Sequence, residues 1–172
     1  MMTSPVDSAE FRSAMRLPAT PVTVLATGQP GARTGLTASA VCSLSDTPPM
    51  ILACVNLGSR ALAAIRQNGG FSANFLSGAQ AAVAETFAGR TGLHGEDRFD
   101  EAWTTGAGGL PVLPTALACF DCALADEYAS PTHAILIGRV IGLRRNDAAR
   151  PLLYSSGLFG HITHLEAAPR SA

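Results

Sequence analysis

With 12 cationic and 13 acidic side chains in 172 residues, the chain is close to neutral, at a net charge of -1. It has no basic stripe of the kind that binds nucleic acid. Hydrophobic residues reach 47% against 15% charged, so the apolar excess must be buried in a core or a subunit interface, while no apolar run approaches the roughly 20 residues of a membrane helix.

Residues 1–10 lack the basic start and apolar core of a signal peptide, so reduced thiols and a cytoplasmic location are the expectation. Asp7-Ser8-Ala9-Glu10 has the form of a capping box. Phe11, Ala14 and Met15 follow at helical spacing, which predicts a first helix ending near Leu17-Pro18. Residues 22–27 are rich in β-branched side chains and predict a strand. Residues 28–35 carry Gly28, Pro30, Gly31 and Gly35 and predict a turn. They match neither a dinucleotide-binding glycine fingerprint nor a P-loop. A second strand is expected over 36–44, a break at Thr47-Pro48-Pro49, and a continuous apolar strand over 50–55.

Ser59 is placed to cap a helix running through Asn68, with Leu62 and Ile65 inward and Gly69 ending it. Residues 71–76 predict a strand. Ser77-Gly78-Ala79-Gln80 reads as a second capping box, before a helix with Val83 and Phe87 four apart that stops near Gly89. The Gly-rich stretch 91–114 reads as loop. Two long strands over 116–128 and 133–144, joined by a turn at Ser130-Pro131, and a short strand over 151–154 complete the pattern. About six strands with three helices set between them, and no regular β-α alternation, predict a mainly β fold: an antiparallel barrel with inserted helices.

Every cationic residue is arginine. The missing lysine removes a Schiff-base nucleophile and the cation of a P-loop. Cys119 and Cys122 form a C-x-x-C, but residues three apart on a strand face opposite sides, so the two sulfurs should diverge into the core. His161 and His164 would share a metal only on a helix, with no acidic or thiol neighbour to complete the site; a solvated tail over 166–172 is expected.

The chemistry concentrates in Thr37-Ala38-Ser39-Ala40, then Ser43-x-Ser45 and Pro48-Pro49, and in Asn56-x-x-Ser59-Arg60. Small hydroxyl residues let a flat ligand approach the backbone, and a serine with an arginine at a helix start suits a phosphate. These blocks stand in order with Phe11-Arg12-x-x-Met15, Thr20-Pro21-Val22-Thr23-Val24, Phe71-Ser72-Ala73-Asn74-Phe75-Leu76, Phe87-Ala88, Phe99, Trp103, His133-Ala134-Ile135-x-Ile137-Gly138-Arg139-Val140 and Pro151-Leu152-Leu153-Tyr154. From Phe11 to about Ile162 the chain resembles the flavin reductase family, whose fold is the FMN-binding split barrel, an antiparallel, Greek-key-like β-barrel. Pro21 departs from the family's usual glycine, and Pro131-Thr132 stands where the family has Gly-Asp before the histidine.

The resemblance implies a single domain over residues 1–172, with its core at about 8–163. It implies an oxidoreductase that moves hydride from NADH or NADPH to FMN or FAD. Thr37, Ala38, Ser39, Ala40, Ser43, Asn56, Ser59, Arg60 and Asn74 would hold the flavin, His133 would place the nicotinamide, and neither a metal nor a catalytic side chain is needed. A homodimer is implied, as is a transient partner monooxygenase that consumes reduced flavin. Two other readings stay open: a resident flavin serving another acceptor such as a corrinoid, and a non-catalytic barrel that binds flavin or haem. A pyridoxamine phosphate oxidase relative on the same barrel would need a second cationic phosphate pocket, and the chain clusters arginine only at Arg144-Arg145.

Overall fold

The two outermost strands of the main sheet are neighbours in the chain, and that closes the fold into a barrel. In the computed structural model, which describes residues 6–163, helix α1 (Ser8–Met15) precedes β1 (Thr20–Pro21), β2 (Thr23–Thr27), β3 (Thr34–Ala38), β4 (Val41–Asp46) and β5 (Pro49–Asn56). Helix α2 (Arg60–Asn68), β6 (Gly70–Phe75), helix α3 (Ala81–Phe87), a 3-10 turn (Gly95–Arg98) and the short strands β7 (Thr104–Thr105) and β8 (Pro111–Val112) follow. The long strands β9 (Ala118–Ala129) and β10 (His133–Arg145), then β11 (Leu153–Ser155) and β12 (Leu158–Gly160), end the described chain. The main sheet has seven strands in the order β3-β2-β6-β9-β10-β5-β4, antiparallel throughout. Only Ser39 and Ala40 separate β3 from β4, and the Cys54 N–H donates to the Ala40 carbonyl at 2.9 Å. The sheet must therefore curl until its edges nearly meet, leaving a split at those two residues.

One apolar cluster draws on all seven strands and so lies inside the barrel: Leu25, Ile51, Val55, Phe71, Cys122 and Leu136 belong to it, and α2 plugs it with Leu62 and Ile65. A second cluster lies outside, on β2, β9 and the residue that follows β6, with Val24, Cys119 and Leu76 packed with α3 and the segment 91–116. That segment is a strap. Its Phe99 and Trp103 meet Phe87 of α3 in an aromatic triad, with ring centroids 4.9–5.2 Å apart. Polar side chains of the sheet pin the rest of it. Asn74 Oδ1 accepts from the Leu113 N–H at 2.9 Å, the Ser72 hydroxyl donates to the Pro111 carbonyl, and Asp121 accepts from the Ala107 N–H at 3.0 Å.

Local chemistry accounts for the ends of the elements. Asp7 caps α1 by accepting from the N–H groups of Ala9 and Glu10. Gly69 ends α2 at φ +68°, a conformation that glycine adopts freely. Gln80 reaches back to the Ser77 N–H at 2.8 Å, but α3 begins only at Ala81, so the expected capping box survives as its returning half. The strand expected over 36–44 is two strands, because the backbone turns at Ser39-Ala40 to cross the split. The stretch expected as loop holds the 3-10 turn and the β7–β8 pair. Strand β12 was not expected; Ser156 and Gly157, both at positive φ, turn the chain back so that Tyr154 and Phe159 stack at 5.5 Å.

The sulfurs of Cys119 and Cys122 diverge, one into each core. Burial pushes their thiols up to about 11 and about 12, so both stay protonated and act as packing groups. His161 lies outside any helix, and His164 and residues 166–172 lie outside the described residues.

Candidate active site

Strand β3 is the wall on which two grooves meet. The first has a volume of about 500 Å³ and is floored by Thr37, Ala38, Ser39 and Ala40 at the split, with Asn56 and His133 facing them. Asn56 and His133 are register partners on β5 and β10, so both project from adjoining strands at one end of the barrel. The Asn56 carboxamide accepts from the Gly58 N–H at 2.8 Å, which shapes the turn into α2. His133 Nδ1 lies 2.8 Å from the Thr132 hydroxyl, which sets how the exposed ring sits at the rim.

The second groove, about 430 Å³, continues along the same strand past Leu36 to Gly35 and Thr34. It is walled by the start of α2 with Ser59 and Arg60, and by Gly95 and Arg98 of the strap. Ser59 takes the N-cap position, yet its side chain makes no cap hydrogen bond. Its hydroxyl is therefore free for a ligand, beside the positive end of the helix dipole. Arg60 is exposed and has no carboxylate partner among the described residues. Two cations, a free hydroxyl and a helix start make this end of the wall an anion seat.

Arg98 is held in place. Its guanidinium donates to the Gly35 carbonyl at 3.1 Å and to the Leu93 carbonyl at 2.9 Å. The turn that carries it is tied down by Glu96, which accepts from the Arg33 side chain and from the Arg33 N–H at 2.8 Å. The Arg33 guanidinium lies 4.8 Å from the Phe99 ring centroid. The hydrogen bond from the Arg33 side chain holds the Glu96 carboxyl below the usual carboxylate range.

The two grooves thus bring together eight of the residues singled out in the sequence: Thr37, Ala38, Ser39, Ala40, Asn56 and His133 in one, Ser59 and Arg60 in the other. Thr37 also has a structural task, since its hydroxyl donates to the Ala84 carbonyl of α3 at 2.7 Å. Ser43 lies elsewhere, on β4, in an apolar hollow with Phe75, Phe120 and Val140. Asn74 requires a correction. It is fully buried, its amide donates to the Val24 carbonyl and the Ser72 hydroxyl, and its oxygen holds the strap at Leu113. Every polar atom of that side chain has a partner inside the protein, so none is left for a ligand. Arg98 was missed, because nothing in a Gly-rich stretch tells where its side chains will lie; its one signal is that Phe99 follows it, an aromatic residue suited to anchoring the strap.

A flat, phosphorylated ligand fits this wall: small side chains along its middle, and cations with a free hydroxyl at one end. The family model described as flavin reductase like domain matches residues 15–163. Over 168 residues the chain is 41% identical to an FMN reductase (NADH) RutF 1 of Methylorubrum extorquens, an alignment spanning 97% of this chain and 81% of that protein. The crystal structure of BorF, the flavin reductase component of a bacterial two-component tryptophan halogenase, superposes with a TM-score of 0.85 at 32% identity, covering 92% of this chain and all of that one. The NADH:FAD oxidoreductase SgcE6 of Streptomyces globisporus, in complex with NAD and FAD fragments, superposes with a TM-score of 0.81 at 29% identity, covering 100% of this chain and 99% of that one.

Proposed function

The chain belongs to the flavin reductase family, and on that premise we propose that it transfers hydride from a reduced nicotinamide to a flavin, FMN in the first place, along the β3 wall. The flavin and nicotinamide supply the redox chemistry between them. The protein binds them, orients them and keeps their rings in contact. The observation that carries the reading is the continuity of the wall from the anion seat at Ser59, Arg60 and Arg98 to the small residues Thr37, Ala38, Ser39 and Ala40. A flavin phosphate in the seat lays the ring over the split, where the backbone N–H groups of 37–40 stabilise charge on the reduced ring. His133, at the open rim, positions the nicotinamide over it.

The relatives are named for NADH, which supports NADH as the donor here. BorF is one component of a two-component system, which supports release of reduced flavin to a partner oxygenase. An enzyme that spends NADH works where NADH is regenerated, which supports a cytoplasmic location. The family match over 15–163 supports one functional domain. A homodimer is part of the same proposal. Leu44, Ile141 and Leu143 are 49–59% exposed on β4 and β10 outside both cores, as a subunit contact would leave them in a single chain.

The test is loss of reduced-nicotinamide absorbance with purified protein, with and without added FMN, in air and anaerobically. Oxidation that scales with FMN establishes the activity and a diffusible product. No oxidation with either flavin and either nicotinamide overturns it.

A further inference from the structure

His133 can meet a ligand through an N–H donor or through a lone pair, depending on which ring nitrogen carries the proton. Side chains of successive strand residues point to opposite faces. Thr132 escapes that rule because it lies in the bend over 131–132 that leads into β10. Its hydroxyl comes to 2.8 Å from His133 Nδ1. Pro131, with its fixed φ, stiffens the bend.

Backbone bonds hold both residues in place. The Leu57 N–H donates to the Thr132 carbonyl at 3.0 Å, which ties the bend to the turn that follows Asn56. The Ser130 N–H donates to the His133 carbonyl at 2.8 Å, and His133 pairs with Asn56 across the β10–β5 ladder. The hydroxyl and the ring are thus brought together on a fixed frame at the mouth of the groove that His133, Asn56 and Ser130 line. Neither side chain makes another hydrogen bond among the described residues, and the ring has no carboxylate partner among them. Nδ1 is therefore taken by Thr132, and Nε2 is left to the groove.

The kind of residue at position 132 limits where the proton can be. A carboxylate only accepts, so an aspartate there would require a proton on Nδ1 and would leave a neutral ring with a lone pair on Nε2. This chain has threonine where the family pattern has aspartate. A hydroxyl can donate, and an imidazole nitrogen is a more basic acceptor than a hydroxyl oxygen. The stronger arrangement is therefore O–H donating to Nδ1, with the ring proton on Nε2.

We propose that Thr132 is a positioning residue that holds neutral His133 as the Nε2–H tautomer, so that the histidine offers the groove a hydrogen-bond donor aimed at a carbonyl oxygen of its ligand. The proposal rests on the reading of this groove as the place where nicotinamide meets flavin, and the oxygen is then that of the nicotinamide carboxamide. Thr132 touches neither ring itself and acts only through His133.

The test compares wild type with Thr132→Val, which loses the hydroxyl and keeps the branched shape, and with Thr132→Ser, which keeps the hydroxyl. Long-range proton–nitrogen spectra of 15N-histidine-labelled full-length protein are recorded without flavin at about pH 9, where an imidazole is neutral, and His133→Asn assigns the signals. Wild type and Thr132→Ser are expected to show His133 protonated on Nε2, and Thr132→Val a mixture of the two tautomers. In steady-state kinetics Thr132→Val is expected to raise the Michaelis constant for NADH about 2–10-fold, the worth of one hydrogen bond. Its kcat and FMN affinity should stay within about twofold of wild type, and Thr132→Ser should restore the Michaelis constant. A wild-type His133 protonated on Nδ1 overturns the proposal, as does a Thr132→Val spectrum identical to that of wild type. An equal rise in the Michaelis constant for the serine and valine variants also overturns it, since shape and not the hydroxyl would then be at work. Absence of NADH oxidation by wild type overturns the flavin reading instead, and the spectra, taken without flavin, still decide the tautomer.

Discussion

Arg60 and Asn74 show how unlike two polar residues of one resemblance can be. Arg60 is exposed and has no carboxylate partner among the described residues, at the start of α2, where a charge-assisted bond to a phosphate is worth about 1.5–3 kcal/mol. Arg60→Ala is therefore expected to weaken FMN binding roughly 10–100-fold, with turnover at saturating flavin little changed; equilibrium titration beside steady-state kinetics checks both. Asn74 is saturated by internal partners. Asn74→Ala leaves the buried Leu113 N–H unpaired, at a cost of about 1–3 kcal/mol. Denaturant unfolding should show that loss while FMN affinity stays that of wild type, and a matching loss of FMN affinity would restore Asn74 to the site. Asp121 is a third case. It is 6% exposed and one carboxylate oxygen has no partner. Burial raises its pKa, against the N–H groups of Ala107 and Gly108 and the charge of Arg144. A carboxyl raised on folding contributes stability at low pH and loses it as pH rises through the folded value. The melting temperature of wild type minus that of Asp121→Asn should therefore fall as pH rises above the ordinary carboxylate range; a flat difference would show that Asp121 is not strained by ionisation.

At the scale of elements, the strap over 91–116 couples core to site. Its aromatic residues fill the outer core, and its 3-10 turn brings Arg98 to the anion seat. Gly106 shows how tightly the strap is laid down. A Cβ there would collide with both Asp121 carboxylate oxygens, so Gly106→Ala should cost about 1–3 kcal/mol by overpacking. The Arg33–Glu96 tie stabilises the turn with the opposite pH sign to Asp121. The Glu96 carboxyl is lowered, so its contribution is present above the ordinary carboxylate range and is lost as pH falls through the folded value. Glu96→Gln should cost up to about 1 kcal/mol at pH 7, and the gap to wild type should close below about pH 4. Thermal unfolding at several pH values reads this, and a gap that persists in acid would assign the effect to shape instead of charge.

At the scale of the whole molecule, the barrel places two grooves along β3 and a third against the Ser39-Ala40 link that follows it. The split between β3 and β4 is the seam where the backbone is open enough for a flat ring to lie against it, and α2 and the strap close the wall at the anion end. In the proposed homodimer the exposed Leu44, Ile141 and Leu143 on β4 and β10 would face a second copy. Sedimentation is expected to show a dimer, and Leu143→Asp to shift it toward monomer; a monomeric wild type would leave that face unexplained.

The sequence by itself determined the kinds of element and most of their ends. The apolar run 50–55, the strand-forming stretches 71–76 and 133–144, the N-cap positions Asp7 and Ser59, and Gly69 act through neighbouring residues, so their message is local. The motif 37–40 with Ser59-Arg60 was legible for the same reason: its chemistry lies in short runs of residue types. Only the tertiary structure decided that Asn74 is a strut of the strap, that Ser43 faces a different hollow, that Arg98 joins Arg60, and that α1 walls a groove. Each of these depends on which strands lie side by side after the sheet has curled, and burial and partnership across that distance are set by packing, which no local pattern encodes.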